Sequence, residues 1–256
     1  MKSRVLDELL QGTPHPLTAR LESWFTARRF AGFVSAHLPK VRKKLRGARD
    51  PEAARDLLLE LDAAYRLLQD KRLTVAYEPT PGGSSRGPDF AVRYTTRLEV
   101  MVEVTRTRRQ AGPPASHGGA AKAPFGSVAT LDAHRLAGVL FLKLGQTLID
   151  RANVLVIGTE GAPPSNGELA EHLKAARMGA ESEAPSALAR QGFKSRGDYL
   201  RRFASLSAVV VRRAPTLADD GLEPDAAIWS NESARAPLSN DVRAAVIGAL
   251  AGHDRH

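Results

Sequence analysis

PDFAVRYTTRLEVMVEVTR, residues 88–106, is the stretch that decides the fold of this 256-residue chain. It holds two apolar runs separated by a short polar turn, the pattern of an antiparallel hairpin. Side chains along a strand alternate between faces. In the second run Leu98, Val100, Val102 and Val104 therefore share one face, which reads as core. Glu99, Met101, Glu103 and Thr105 share the other. Each run also carries a carboxylate where an apolar neighbour would be ordinary, Asp89 early in the first and Glu103 late in the second.

Working outward, RLTVAY (72–77) reads as a strand, and TPGGSSRG (80–87) as a turn-rich loop joining it to the hairpin. Upstream, Asp50 followed by Pro51 is a strong helix start, an N-cap acceptor followed by a residue already set for the first turn. From there Leu57, Leu58, Leu61, Ala64, Tyr65 and Leu68 recur at helical spacing, with Glu60 beside the stripe and an end near Asp70. Residues 1–47 read as mostly helical, interrupted by GTPHP at 12–16. Downstream, 107–127 is a basic loop rich in Gly, Pro and Ala. A helix is expected at about 128–150, then NVLVIG (153–158), a near-continuous apolar run of the kind found in buried parallel strands. A helical insertion at about 163–204, strands at 207–213 and 226–230, and a helix at 240–252 complete the order. The expected class is α/β, a mixed central sheet flanked by helices. The expected organisation is a basic helical N-terminal extension over 1–50 and one domain over 51–256.

Composition excludes several chemistries. With no cysteine there is no disulfide, thiolate metal site or cysteine nucleophile, which suits a reducing cytoplasm. No apolar run reaches the roughly 20 residues of a membrane span, so no membrane association is expected. The histidines make no HxxxH or HxH pattern, and P-loop, GxGxxG and GxSxG signatures are missing. Net charge is +9, and residues 1–50 hold 11 basic against four acidic residues, which is +7. Lys40, Arg42, Lys43 and Lys44 lead the densest basic cluster, and Arg106, Arg108, Arg109 and Lys122 lie in or beside the long loop. Such a distribution fits contact with the phosphates of nucleic acid. The alternative is an ordinary solvated surface.

Glu103 faces a covered side of the sheet, and a buried carboxylate costs several kcal/mol unless a cation or strong donors compensate. Asp89, at the head of the neighbouring strand, should lie close to it. Two adjacent carboxylates repel, and a divalent cation relieves that repulsion. All-oxygen donors favour Mg²⁺ or Mn²⁺.

The arrangement resembles the PD-(D/E)xK nuclease superfamily. The matching residues are Pro88-Asp89 at the head of one strand and Glu103-Val104-Thr105 in the next. The helix carrying Glu60 precedes them, and a helix with Lys143 and Gln146 in FLKLGQTLID follows, leading into NVLVIG. The resemblance covers residues 51–158 and implies that superfamily's restriction-endonuclease-like α-β-β-β-α-β core. The later strands resemble, more weakly, peripheral strands of some bacterial members. It further implies that Asp89 and Glu103 hold Mg²⁺ or Mn²⁺, with Glu60 completing the metal shell. The ion would activate water against a phosphodiester, DNA being the favoured substrate.

The pattern breaks at Thr105, where the superfamily carries its lysine. Threonine has no charge to offset the transition state, though its hydroxyl can hold a water. One expectation is that the cation is relocated to Lys143, paired with Gln146 at i, i+3 on the following helix, with Arg93 a second candidate. The other is a catalytically inactive module that keeps the fold and binds nucleic acid or a partner protein. Superfamily habit also implies a homodimer or a larger defence or repair assembly.

Overall fold

In a computed structural model, which describes residues 4–79, 87–95, 98–107, 133–182, 185–190, 192–217 and 225–252, the chain is α/β. Its sheet has six strands in chain order. Leu73–Tyr77 (β1), Phe90–Tyr94 (β2) and Leu98–Arg106 (β3) form an antiparallel meander. Ala152–Thr159 (β4) and Leu206–Arg213 (β5) run parallel to β3, and Ala226–Ser230 (β6) closes the sheet antiparallel to β5. The sheet is mixed because β1 to β3 turn back through short connections while β3, β4 and β5 are joined through helices.

Both faces are covered. On one lies Pro51–Leu67 (α5), where Asp50 caps the first turn by accepting from the Glu52 and Ala53 amides at 3.1 and 2.9 Å. Leu57, Leu58 and Leu61 of α5 pack on Val100, Val102 and Val104, together with Asn240–Ala251 (α10). On the other face lie Ala133–Leu144 (α6), Asn166–Ser182 (α7), Pro185–Arg190 (α8) and Arg196–Phe203 (α9). Their Leu140, Leu173, Leu188 and Tyr199 meet Leu155, Ile157, Val209 and Val211. The helical segment expected at 163–204 is thus the cover of the second face. Each fully buried Leu or Phe contributes about 2 kcal/mol.

Arg4–Leu10 (α1), Thr18–Trp24 (α2), Arg28–Ala36 (α3) and Leu38–Gly47 (α4) make up the N-terminal region. They send Leu21, Trp24, Phe30, Phe33, Val41 and Leu45 into the same core as α5. Trp24 stacks on Tyr65 of α5 at 5.3 Å between ring centroids. This region extends the first helical layer and is continuous with it.

Two details seat the site. Gly158 in β4 packs under the Leu59 side chain of α5: a Cβ there would come within 2.5 Å of Leu59 Cδ2. Its missing side chain leaves room for Leu59, the neighbour of Glu60. Leu98 departs from the expected core face. It is 50% exposed, because it opens β3 at the hairpin end, where the strand begins at the solvent.

Candidate active site

The hairpin register brings the acids together. Phe90 pairs with Val102, so one step further along the ladder Asp89 stands across from Glu103. Asp89 Oδ2 accepts the Val104 amide at 2.7 Å, which pins its carboxylate against β3. The Asp89 carbonyl accepts from the Glu78 amide at 2.7 Å, and Glu78 adopts a left-handed backbone with φ of 43°. A non-glycine residue held there stores strain, and such residues gather at functional sites.

Glu103 is buried, 8% exposed. Lys143 Nζ, reaching across from α6, donates to Glu103 Oε1 at 2.6 Å. With its amide oriented to donate, Gln146 reaches Glu103 Oε1 and Oε2 at 2.7 and 3.2 Å. Lys143 and Gln146 therefore hold one carboxylate between them. On the other flank Lys44 Nζ, from α4, donates to Glu60 Oε1 at 2.5 Å and lies 2.9 Å from Glu78 Oε1. It also sits 5.0 Å from the centre of the Tyr77 ring. Glu60, Asp89, Thr105 and Lys143 line one open groove of about 890 Å³, with Asp56, His134 and Arg135 along its walls.

The electrostatics follow from this crowding. Burial pushes the Asp89 carboxyl well up from its ordinary value, and the charges of Glu60 and Glu103 push it further. The Val104 amide and Lys44 pull the other way without restoring it. Burial also raises Glu103, against the opposing pull of Lys143. Burial would lower Lys44, but Glu60 and Glu78 outweigh it and hold the ammonium above its ordinary range. Among the described residues the acids outnumber the cations that reach them.

That excess, together with hard oxygen donors, fits a divalent ion on Asp89 and Glu103. No group of three or more acidic or histidine side chains among the described residues is arranged to hold a metal ion. Lys44 engages Glu60 through Oε1 alone.

The remaining expected site residues fall in several places. Arg106 is an interior residue whose side chain is 1% exposed. Its guanidinium donates to Asp56 and Glu160 at 2.9 Å each and to Glu52, and it ties β3 to α5. This is unlike the surface contact expected of it, because alternation turns it away from Glu103 onto the helix-covered face. Arg93 shares a face with Asp89 but stands four residues along the strand, roughly 13 Å away, and is 3.7 Å from Glu99. Lys40 donates to the Tyr77 and Glu78 carbonyls at 3.0 and 2.9 Å. Arg42 donates to the Glu8 carbonyl at 2.7 Å, and Lys43 is exposed. Arg108, Arg109 and Lys122 lie outside the described residues.

The sequence reading missed that Lys44 belongs to the acid cluster. Its signal was faint: Lys40 and Lys44 are one helical turn apart, so both face the end of β1. No family model, curated protein or solved structure matches this chain. Among the described residues no helix is long and apolar enough to cross a membrane.

Proposed function

We propose that this chain is a divalent-metal-dependent nuclease of the PD-(D/E)xK superfamily, with the restriction-endonuclease-like core formed by α5, β1 to β3, α6 and β4. The observation that carries the reading is the Lys143 ammonium, 2.6 Å from Glu103 on the wall of the groove that Asp89 also lines. It supplies, from the following helix, the positive charge that Thr105 cannot.

Asp89 and Glu103 would hold Mg²⁺ or Mn²⁺, with Glu60 as the further ligand. When bound, the ion lowers the pKa of water and offsets charge on the scissile phosphate. Lys143 adds a second positive charge on the groove wall, where a phosphate oxygen gains negative charge. Gln146 keeps Glu103 in one orientation, and the Thr105 hydroxyl in the groove offers a water-holding group. The exposed cations of α4 supply non-specific attraction for a phosphate backbone. DNA is the favoured substrate.

Plasmid, single-stranded DNA and RNA incubated with Mg²⁺ or Mn²⁺ provide the test. Cutting should require the ion and fall by a factor of about 100 or more in Asp89→Ala, Glu103→Ala and Lys143→Ala. A second reading, a non-cutting module that binds nucleic acid or a partner protein, is favoured by Thr105. It is also favoured by the Lys44–Glu60 and Lys143–Glu103 pairs, which partly balance the acids without any metal. It predicts no cleavage under any ion, and nucleic-acid binding that survives Asp89→Ala.

A further inference from the structure

The GTPHP break between α1 and α2 forms part of a second, separate concavity. A pocket of about 230 Å³ is lined by Gln11, Thr13, Pro14, His15 and Pro16 on one side and by Arg42, Arg46 and Arg49 on the other. Arg42 and Arg46 are one turn apart on α4, on the side of that helix away from Lys40 and Lys44, and Arg49 lies just past its end.

The loop wall is rigid. Gln11 and Gly12 are consecutive left-handed residues, with φ of 51° and 70°, and Pro14 and Pro16 fix two further backbone angles. His15 Nδ1 accepts the Leu17 amide at 3.1 Å, which leaves Nε2 as the donor. Nε2 lies 3.1 Å from both the Leu45 and Ala48 carbonyls, so the imidazole ties the loop to the end of α4. The strained Gln11 is not idle, since its side-chain oxygen accepts from Arg46 at 2.8 Å.

The charge balance is one-sided. Among the described residues three guanidinium groups line the pocket and no carboxylate does. Glu8 approaches Arg42 at 3.4 Å from outside that lining, and the enclosed Nε of Arg42 has no acceptor among the described residues. The negative end of α4 opposes an anion by about half a charge. Three full positive charges outweigh it, and His15 already satisfies two of the carbonyls there.

We infer that this pocket binds a phosphate-type dianion, either free phosphate or the terminal phosphate of a nucleic acid strand. Planar guanidinium forks match phosphate oxygens in pairs, and Thr13 adds a hydroxyl. The site is independent of the carboxylate groove and stands whether or not that groove cuts.

The test uses the full chain. Thermal melting is compared in inorganic phosphate and in chloride at equal ionic strength, for wild type and for Arg46→Ala/Arg49→Ala, both exposed positions. Phosphate should raise the wild-type Tm by about 3 °C at tenfold excess over Kd, with the rise lost in the double variant. Equal melting in the two salts would overturn the inference. So would a rise of the same size in the double variant, because general salting-out stabilises both proteins alike. A single-stranded oligonucleotide with a 5′-phosphate, set against its 5′-hydroxyl form, then identifies the source. Tighter binding of the phosphorylated strand, by about tenfold and only in wild type, assigns the pocket to a strand terminus. Equal binding of the two assigns it to the free ion.

Discussion

Two ion clusters share helix α5, one through Asp62 and the other through Glu60, and they are balanced in opposite senses. Around Asp62 of α5, one acid faces two cations: Arg66 Nε at 2.8 Å and the deeply buried Arg212 of β5 at 2.5 Å. Burial alone would raise Asp62, yet Arg212 and Arg66 outweigh it and hold the carboxyl below its ordinary value. Around Asp89 the count is reversed. Burial, then Glu60, then Glu103 drive its carboxyl up, and Lys44 only tempers the rise. In the first cluster the cations outnumber the acid, and the buried Nε of Arg212 has no hydrogen-bond acceptor among the described residues. In the second, among the described residues, the acids outnumber the cations.

The largest expected effect breaks the first cluster. Asp62→Ala leaves the Arg212 guanidinium buried without its counter-ion and should cost about 4 kcal/mol, measured by urea unfolding. Next, Lys143→Met removes a cation from the acid-rich cluster and should destabilise the fold by about 2 kcal/mol at pH 7. In the same unfolding assay a smaller loss is expected at low pH, where Glu103 is protonated.

Asp89→Asn should act with the opposite sign. Asp89 keeps its proton in the folded chain at pH values where the unfolded chain has lost it. Wild-type stability therefore falls as pH rises from about 4 through the raised folded value. Asn keeps an acceptor for the Val104 amide and removes the repulsion. The variant should gain about 1 kcal/mol at pH 7 and show a flatter stability curve above pH 4. Asp62 contributes oppositely, since its folded value is lowered: its stabilisation is present above the unfolded value and is lost as pH falls through the folded one. A pH series on Asp89→Asn and wild type separates the two. A curve for Asp89→Asn as steep as that of wild type would remove the case for unbalanced acids.

The smallest effect is expected at Lys43, exposed on α4. Lys43→Ala should change stability by less than about 0.5 kcal/mol. If Lys43 meets phosphates, the salt slope of nucleic-acid binding drops by about one.

Much of the architecture was legible where a local rule applied. Asp50 and Pro51 announced α5 because an N-cap acceptor and a proline at the first turn act within three residues. Alternation in β3 placed Glu103 and Arg106 on opposite faces, and the hairpin placed Asp89 beside Glu103. The helix expected at 128–150 is ordered as α6 from Ala133 to Leu144, and residues 128–132 lie outside the described ones. Lys143 beside Glu103 was foreseeable only as a resemblance, because the contact joins residues 40 apart.

Three features escaped any local reading. Arg106 was expected to meet nucleic acid, yet Glu52, Asp56 and Glu160 enclose it. Residues 1–50 looked like an appendage, yet Phe30 and Trp24 share a core with Tyr65. Lys44 looked like one cation among several, yet it bridges Glu60 and Glu78.

The amino-acid sequence by itself determined the periodicities, and through them the helices, the strands, and the face on which each β3 residue stands. Those depend on neighbours within a few positions. Which charges meet across elements far apart in the chain was decided by the tertiary structure. A side chain's electrostatic partners depend on distances of a few ångströms between elements far apart in the chain, and helix packing, not local pattern, sets those distances. So the sequence could show that Asp89 and Glu103 are close, but only the fold shows that Lys44 and Lys143 approach the acids from different helices and, among the described residues, still leave them in excess.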